Sequence, residues 1–107
     1  MTRDEATQAA WTAYRLGKAG LTQHEFAAVL RIAKLNRRAT RAWERLNTCE
    51  GREPECSRAD RANTLAQEQA AAEAAEYGWT LDRSGGLWWA LDVGKADWVQ
   101  NALSGIL

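Results

Sequence analysis

The sequence predicts a mostly α (α+β) domain, and three observations carry that expectation. The run from Thr22 to Asn47 is amphipathic and contains neither glycine nor proline. Capping-box spacings precede two helical runs. After Gly78, apolar and polar residues alternate around a glycine-rich turn. The expected architecture is a long helical hairpin plus an N-terminal helix, then a C-terminal two-stranded β-hairpin and a short terminal helix. All of it fits a single domain over residues 1–107.

Thr2 and Glu5 have capping-box spacing, which starts a first helix over about 3–16. Its expected apolar side is Ala6, Ala9, Ala10, Ala13 and Leu16, flanked by Trp11 and Tyr14. Gly17 and Gly20 end it, since glycine suits the left-handed position past a helix end. Leu21 precedes a second capping box, Thr22 with Glu25, and is placed to pack on Phe26 as a hydrophobic staple.

The second helix, over about 22–47, is the expected spine. Ala28, Ile32, Leu35, Ala39, Ala42 and Leu46 recur at steps of four and three, which puts them on one face. At 1.5 Å per residue the helix would span roughly 39 Å, long for a domain of this size. Residues 48–56 hold the only proline and read as a loop. Ser57 and Asp60 mark the start of a third helix over about 57–77, alanine-rich from Ala70 to Ala75. The short connection implies an antiparallel pair with the spine.

Gly78 stops the third helix, and a β-hairpin follows over about 79–91, turning at Arg83-Ser84-Gly85-Gly86. Strand alternation puts Leu87, Trp89 and Leu91 on one face with Trp79 and Leu81 opposite, and turns Trp88 the other way. Trp89 is therefore expected in the core and Trp88 as an exposed anchor. A last helix over about 95–104 turns Val99, Leu103 and Ile106 inward.

The chain is electrically neutral overall, so no global field draws it to nucleic acid or membrane. Its charge is nevertheless segregated. Six basic and two acidic side chains lie between Thr22 and Thr48, a net +4 that the rest of the chain balances. Arg31, Lys34, Arg38, Arg41 and Arg45 follow the helical rhythm about 100° round from the apolar stripe. Five cations at that spacing repel one another and are not needed for packing. They suit phosphates or an acidic protein face. The competing reading is a solvated face neutralised by Glu50, Glu53, Glu55, Glu68, Glu73 and Glu76. Trp88 could serve as a protein–protein hot spot or a stacking platform for an unpaired base.

Nothing in the chain favours catalysis. Cys49 and Cys56 lack the close pairing of a zinc knuckle, and His24 is the only histidine, so no metal site is expected. A disulfide between the two cysteines is sterically conceivable, but a reduced pair is expected in cytoplasm. The carboxylates are scattered, and neither a phosphate-binding glycine loop nor a nucleophile elbow is present. We therefore expect no enzyme, no cofactor and no small-molecule substrate. No stretch of 18 apolar residues occurs, and no apolar segment follows the charged Met1–Glu5, so neither a membrane span nor a secretory signal is expected. The expected location is cytoplasmic, as a monomer or weak homodimer.

Two resemblances add to this. Gly20-Leu21-Thr22-Gln23-His24-Glu25-Phe26-Ala27 resembles the second-helix start of repressor-type helix-turn-helix domains, and Asn36-Arg37-Arg38-Ala39-Thr40-Arg41-Ala42-Trp43-Glu44 resembles their recognition helix. That likeness implies a DNA-binding regulator with Arg37, Arg38 and Arg41 in the major groove, and it requires a turn within Arg31–Leu35. Over roughly residues 22–92 the chain is also similar to small accessory proteins of tailed phages and prophages. The carrying features are Glu44-Arg45, Asn47 and Cys49 at a helix end, a polar loop, a second helix, Gly78 and a short hairpin. This second likeness implies a non-enzymatic inhibitor of host CRISPR-Cas defence, of the anti-CRISPR type. It would act in the host bacterial cytoplasm on an effector protein or its DNA or RNA. A self-associating phage structural protein, joined through Trp11, Tyr14 and the spine, is the remaining alternative.

Overall fold

A computed structural model describes residues 3–83 and 89–107. The elements run α1 (Arg3–Lys18), α2 (Gln23–Thr48), α3 (Glu55–Glu76), β1 (Thr80–Asp82), β2 (Ala90–Asp92) and α4 (Asp97–Ile106). The expected class, mostly helical with a small antiparallel β part, is what the chain adopts.

The α1–α2 corner is built by two local devices. Gly20 has φ +84°, and the Leu21 and Gly20 amides donate back to the carbonyls of Leu16 and Gly17 at 3.1 and 3.4 Å. This is the double-bonded helix end that a left-handed residue permits. Thr22 then caps α2: its hydroxyl accepts from the Glu25 amide at 3.1 Å, and the Glu25 carboxylate accepts from the Thr22 amide at 2.9 Å. The other expected capping box falls on Thr2, outside the described residues.

The α2 stripe is core as expected, with Ala28, Ile32, Ala39 and Ala42 buried and Leu35 and Leu46 half-buried. α2 and α3 form the antiparallel pair, and α3 contributes Ala59, Ala66, Ala70 and Ala74 to their contact. The larger core side chains gather at one end of this pair. Leu16, Leu21, Val29, Ile32, Trp89, Leu91, Val93, Val99 and Leu103 form one buried cluster. Burial of such side chains is the main stabilising term. In the hairpin Leu81 pairs with Leu91, Thr80 with Asp92 and Asp82 with Ala90. Trp89 is only 3% exposed, as its alternation required.

Five expectations are corrected. α1 runs through Gly17 to Lys18 rather than ending at 16, and Gly20 alone supplies the left-handed residue past its end. α1 does not bury its alanine side: Ala6 and Ala10 are exposed, and Thr12 is buried beside Leu16, with Ala9 and Ala13 half-buried. Leu16 is the one large apolar residue on that side. It sets the rotation, and the Thr12 hydroxyl is satisfied by donating to the Gln8 carbonyl at 2.8 Å. α3 begins at Glu55 rather than Ser57, because Cys56 already lies in its first turn. Cys49 and Cys56 are joined in a disulfide with Cα atoms 5.6 Å apart, not reduced. α4 begins at Asp97 rather than 95, because residues after β2 form a turn in which the Asp92 carboxylate accepts from the Gly94 amide at 2.8 Å.

α2 is unbroken through Arg31–Leu35. The turn that a helix-turn-helix arrangement needs there is missing.

The molecule is elongated, 49 × 32 × 20 Å with a radius of gyration of 15.2 Å, against about 13 Å for an ordinary domain of this length. The cause is the α2–α3 pair. Its described polar contacts to the other elements end with Asn36, whose amide donates to the Leu107 carbonyl at 3.0 Å, and with Gln67, which accepts from Arg83 at 3.3 Å. Past those points the two helices project as an arm, closed by the turn that holds the disulfide.

Candidate partner-binding face

Helical spacing in α2 sets the five cations of the basic stripe along one side, and all five are exposed. The structure divides them. The Arg31 guanidinium is held by Glu73 of α3, with Nε and Nη2 both 2.6 Å from the same carboxylate oxygen. The Tyr77 hydroxyl lies 3.4 Å from Nη2. The hydrogen bond to Glu73 raises the Arg31 pKa, against a smaller opposing effect of desolvation. Lys34, Arg38, Arg41 and Arg45 make no ion pair among the described residues. Of the six glutamates that could have neutralised the stripe, Glu73 alone does so. Glu50 is 3.8 Å from Arg52 within the turn, and Glu53 accepts from the Ser57 hydroxyl at 2.6 Å.

Three of the unpaired cations converge on α3. Arg38, Arg41 and Arg45 line one wall of a groove of about 390 Å³, and Ala62, Leu65, Ala66 and Gln69 line the other. Leu65 is 51% exposed although it is a leucine on a packed helix. Arg58 lies one turn before Ala62 on the same side of α3 and is also exposed, adding a cation on the α3 side toward the turn. The groove thus combines guanidinium donors with an apolar floor. Guanidinium groups hold carboxylates or phosphates in paired hydrogen bonds.

Trp88, the expected anchor, lies outside the described residues. Arg37, assigned to DNA by the repressor likeness, sits apart from the groove. It lines a separate hollow of about 530 Å³ between α1, α2 and α4, together with Thr12, Leu30 and Ile106.

One feature escaped the sequence reading: the α3 wall of the groove, because the alanine-rich repeat of α3 does not say which side is buried. On α1, the residues named for self-association do face outward. Trp11 and Tyr14 are 53% and 57% exposed and stack with ring centres 5.9 Å apart. Arg15 lies 5.5 Å over the Trp11 ring and Lys18 4.9 Å over the Tyr14 ring. Their spacing of three and four residues brings these side chains together.

No cluster of three or more metal-binding side chains occurs among the described residues, and no helix there is long and apolar enough to cross a membrane. No protein-family model matches this chain, and no curated protein or solved structure does.

Proposed function

We propose that this chain is a non-enzymatic binding protein whose α2–α3 groove takes an acidic segment of a partner protein. The observation that carries this reading is the convergence of Arg38, Arg41 and Arg45, unpaired among the described residues, on the half-exposed Leu65. Cations along a solvated face would gain most from neighbouring carboxylates, as Arg31 does. Three left together beside an apolar residue suit a ligand that brings both charge and hydrocarbon. An amphipathic acidic helix does so, whereas a phosphate backbone gains nothing from Leu65. The likeness to phage accessory proteins gives the biological form of the proposal: an inhibitor of host CRISPR-Cas defence that occupies a surface of the effector complex.

Two experiments test it. The first is capture of partners from bacterial lysate, with and without nuclease, by the natural protein and by a charge-reversed Arg38→Glu, Arg41→Glu variant. Partners retained after nuclease and lost with the variant support the proposal, and capture abolished by nuclease replaces it with nucleic-acid binding. The second is transformation of cells carrying an active CRISPR-Cas system with a targeted plasmid. Expression of the chain should raise transformant counts by orders of magnitude. No rise in any system tested, with the folded protein present, overturns the inhibitor form.

A second reading, self-association, is favoured by the stacked Trp11–Tyr14 pair on the open side of α1. Light scattering across a concentration series tests it: a dimer lost on Trp11→Ala supports it, and a monomer at every concentration removes it.

A further inference from the structure

We propose that the Cys49–Cys56 disulfide is a redox clasp on the arm, tightening the binding geometry of the arginine groove when oxidised and loosening it when reduced, so that binding in a reducing compartment is weaker but retained. The inference rests on the reading of that groove as a partner site.

The arm has little else to keep its tip together. Between Arg38 and Cys49 on α2 and between Glu55 and Ala66 on α3, every buried residue is an alanine except Cys49 itself. Alanines bury little area, and only the half-buried Trp43 and Leu46 add larger apolar side chains on α2. The core cluster that carries most of the apolar burial is centred on the other end of the hairpin.

The turn is bonded within itself, with the Arg52 amide donating to the Cys49 carbonyl and the Cys56 amide to the Arg52 carbonyl, each at 3.0 Å, but none of these bonds joins α2 directly to α3. The residue before α3, Pro54, provides no side-chain cap. Glu50 adopts φ +54°, a left-handed conformation unfavourable for a residue with a Cβ. A cross-link between the end of α2 and the first turn of α3 offsets both weaknesses by restricting the open chain. Arg45 and Arg58, at the tip-ward end of the groove, lie one turn before Cys49 and about half a turn after Cys56.

The chemistry balances with a dithiol as reductant. One of its thiolates attacks the Sγ of Cys56, the more exposed of the pair, and Cys49 leaves as a thiolate. The second thiol of the reductant then displaces Cys56. Two electrons pass to the protein, two cysteine thiols form after protonation, and the dithiol becomes a disulfide.

Amide hydrogen exchange on the oxidised and dithiothreitol-reduced protein tests the clasp without any ligand. Reduction should speed exchange at least tenfold over 42–48 and 56–62 and leave 70–76 unchanged, where α3 meets the core cluster. A Cys49→Ser, Cys56→Ser variant should match the reduced protein with or without dithiothreitol. Equal exchange in oxidised and reduced forms overturns the clasp. Binding of a synthetic glutamate-rich amphipathic helical peptide is then measured on both forms. Weaker binding on reduction supports the proposal. Equal binding in both forms overturns the coupling of clasp to groove. Faster exchange with no binding by either form upholds the clasp as a structural device and counts against the acidic-partner reading.

Discussion

Arg31 and Glu73 are joined across the helical pair through a single carboxylate oxygen, 2.6 Å from both Nε and Nη2 of the guanidinium. The pair marks a boundary on the basic face of α2. Arg31, at the core end of the stripe, is neutralised, and on the arm side Lys34, Arg38, Arg41 and Arg45 have no ion pair among the described residues. An exposed pair of this kind contributes little to stability. Arg31→Ala should lower Tm by a few degrees at most in a thermal melt, and should leave groove binding unchanged. The raised Arg31 pKa sets the sign of any pH effect. The contribution is fully present below the ordinary arginine value and lost only as pH rises through the still higher folded value, so no loss arising from this cation is expected near neutrality.

Leu65 separates the two roles of the groove residues. It is half exposed, so Leu65→Glu should change folding stability by no more than about 0.5 kcal/mol in urea titrations. The same substitution puts an anion among Arg38, Arg41 and Arg45, and should reduce affinity for an acidic peptide at least tenfold in fluorescence titrations.

Ile32 is fully buried in the cluster that closes the core end of the molecule. Ile32→Ala removes hydrocarbon and leaves a cavity, for an expected loss of about 3 kcal/mol in the unfolding free energy. An Ala39→Gly change, nearer the arm, combines backbone entropy with the loss of one buried methyl group, at about 1–2 kcal/mol in all. Urea unfolding of the two variants should show this difference.

Thr22 caps α2 with reciprocal bonds to Glu25. Thr22→Ala should lower stability by about 1 kcal/mol by denaturant titration, and Thr22→Ser should retain most of it.

Glu50 lies in the left-handed region at φ +54°, next to Gly51 at +74°. Glu50→Gly relieves the Cβ contact but frees the unfolded chain. The net effect expected is between neutral and about 1 kcal/mol stabilising. A clear loss of stability in urea would show that the Glu50–Arg52 contact matters more than the backbone.

The order and type of the elements were legible in the residues alone, while the ends of α1, α3 and α4 moved by about two residues. Ala28, Ile32, Ala39 and Ala42 repeat at helical spacing, Thr22–Glu25 and Gly20 fix the corner before α2, and alternation fixes Trp89 as core. These are local or periodic signals, and they survive folding because each is satisfied within its own segment or by any apolar neighbour. The continuity of α2 through Arg31–Leu35 was legible in the same way, from the stripe that crosses it. Tertiary structure decided everything that depends on which surfaces meet. The pairing of Arg31 with Glu73 needs residues 42 positions apart to be brought together. The exposure of Leu65, the side of α3 that forms the groove and the outward turn of Trp11 and Tyr14 depend on helix rotation. Alanine-rich stretches leave that rotation undetermined, since their small side chains pack nearly as well on any side. The disulfide, too, follows from how the α2–α3 turn closes, because spacing allowed the bridge and only the folded turn set Cys49 and Cys56 within reach.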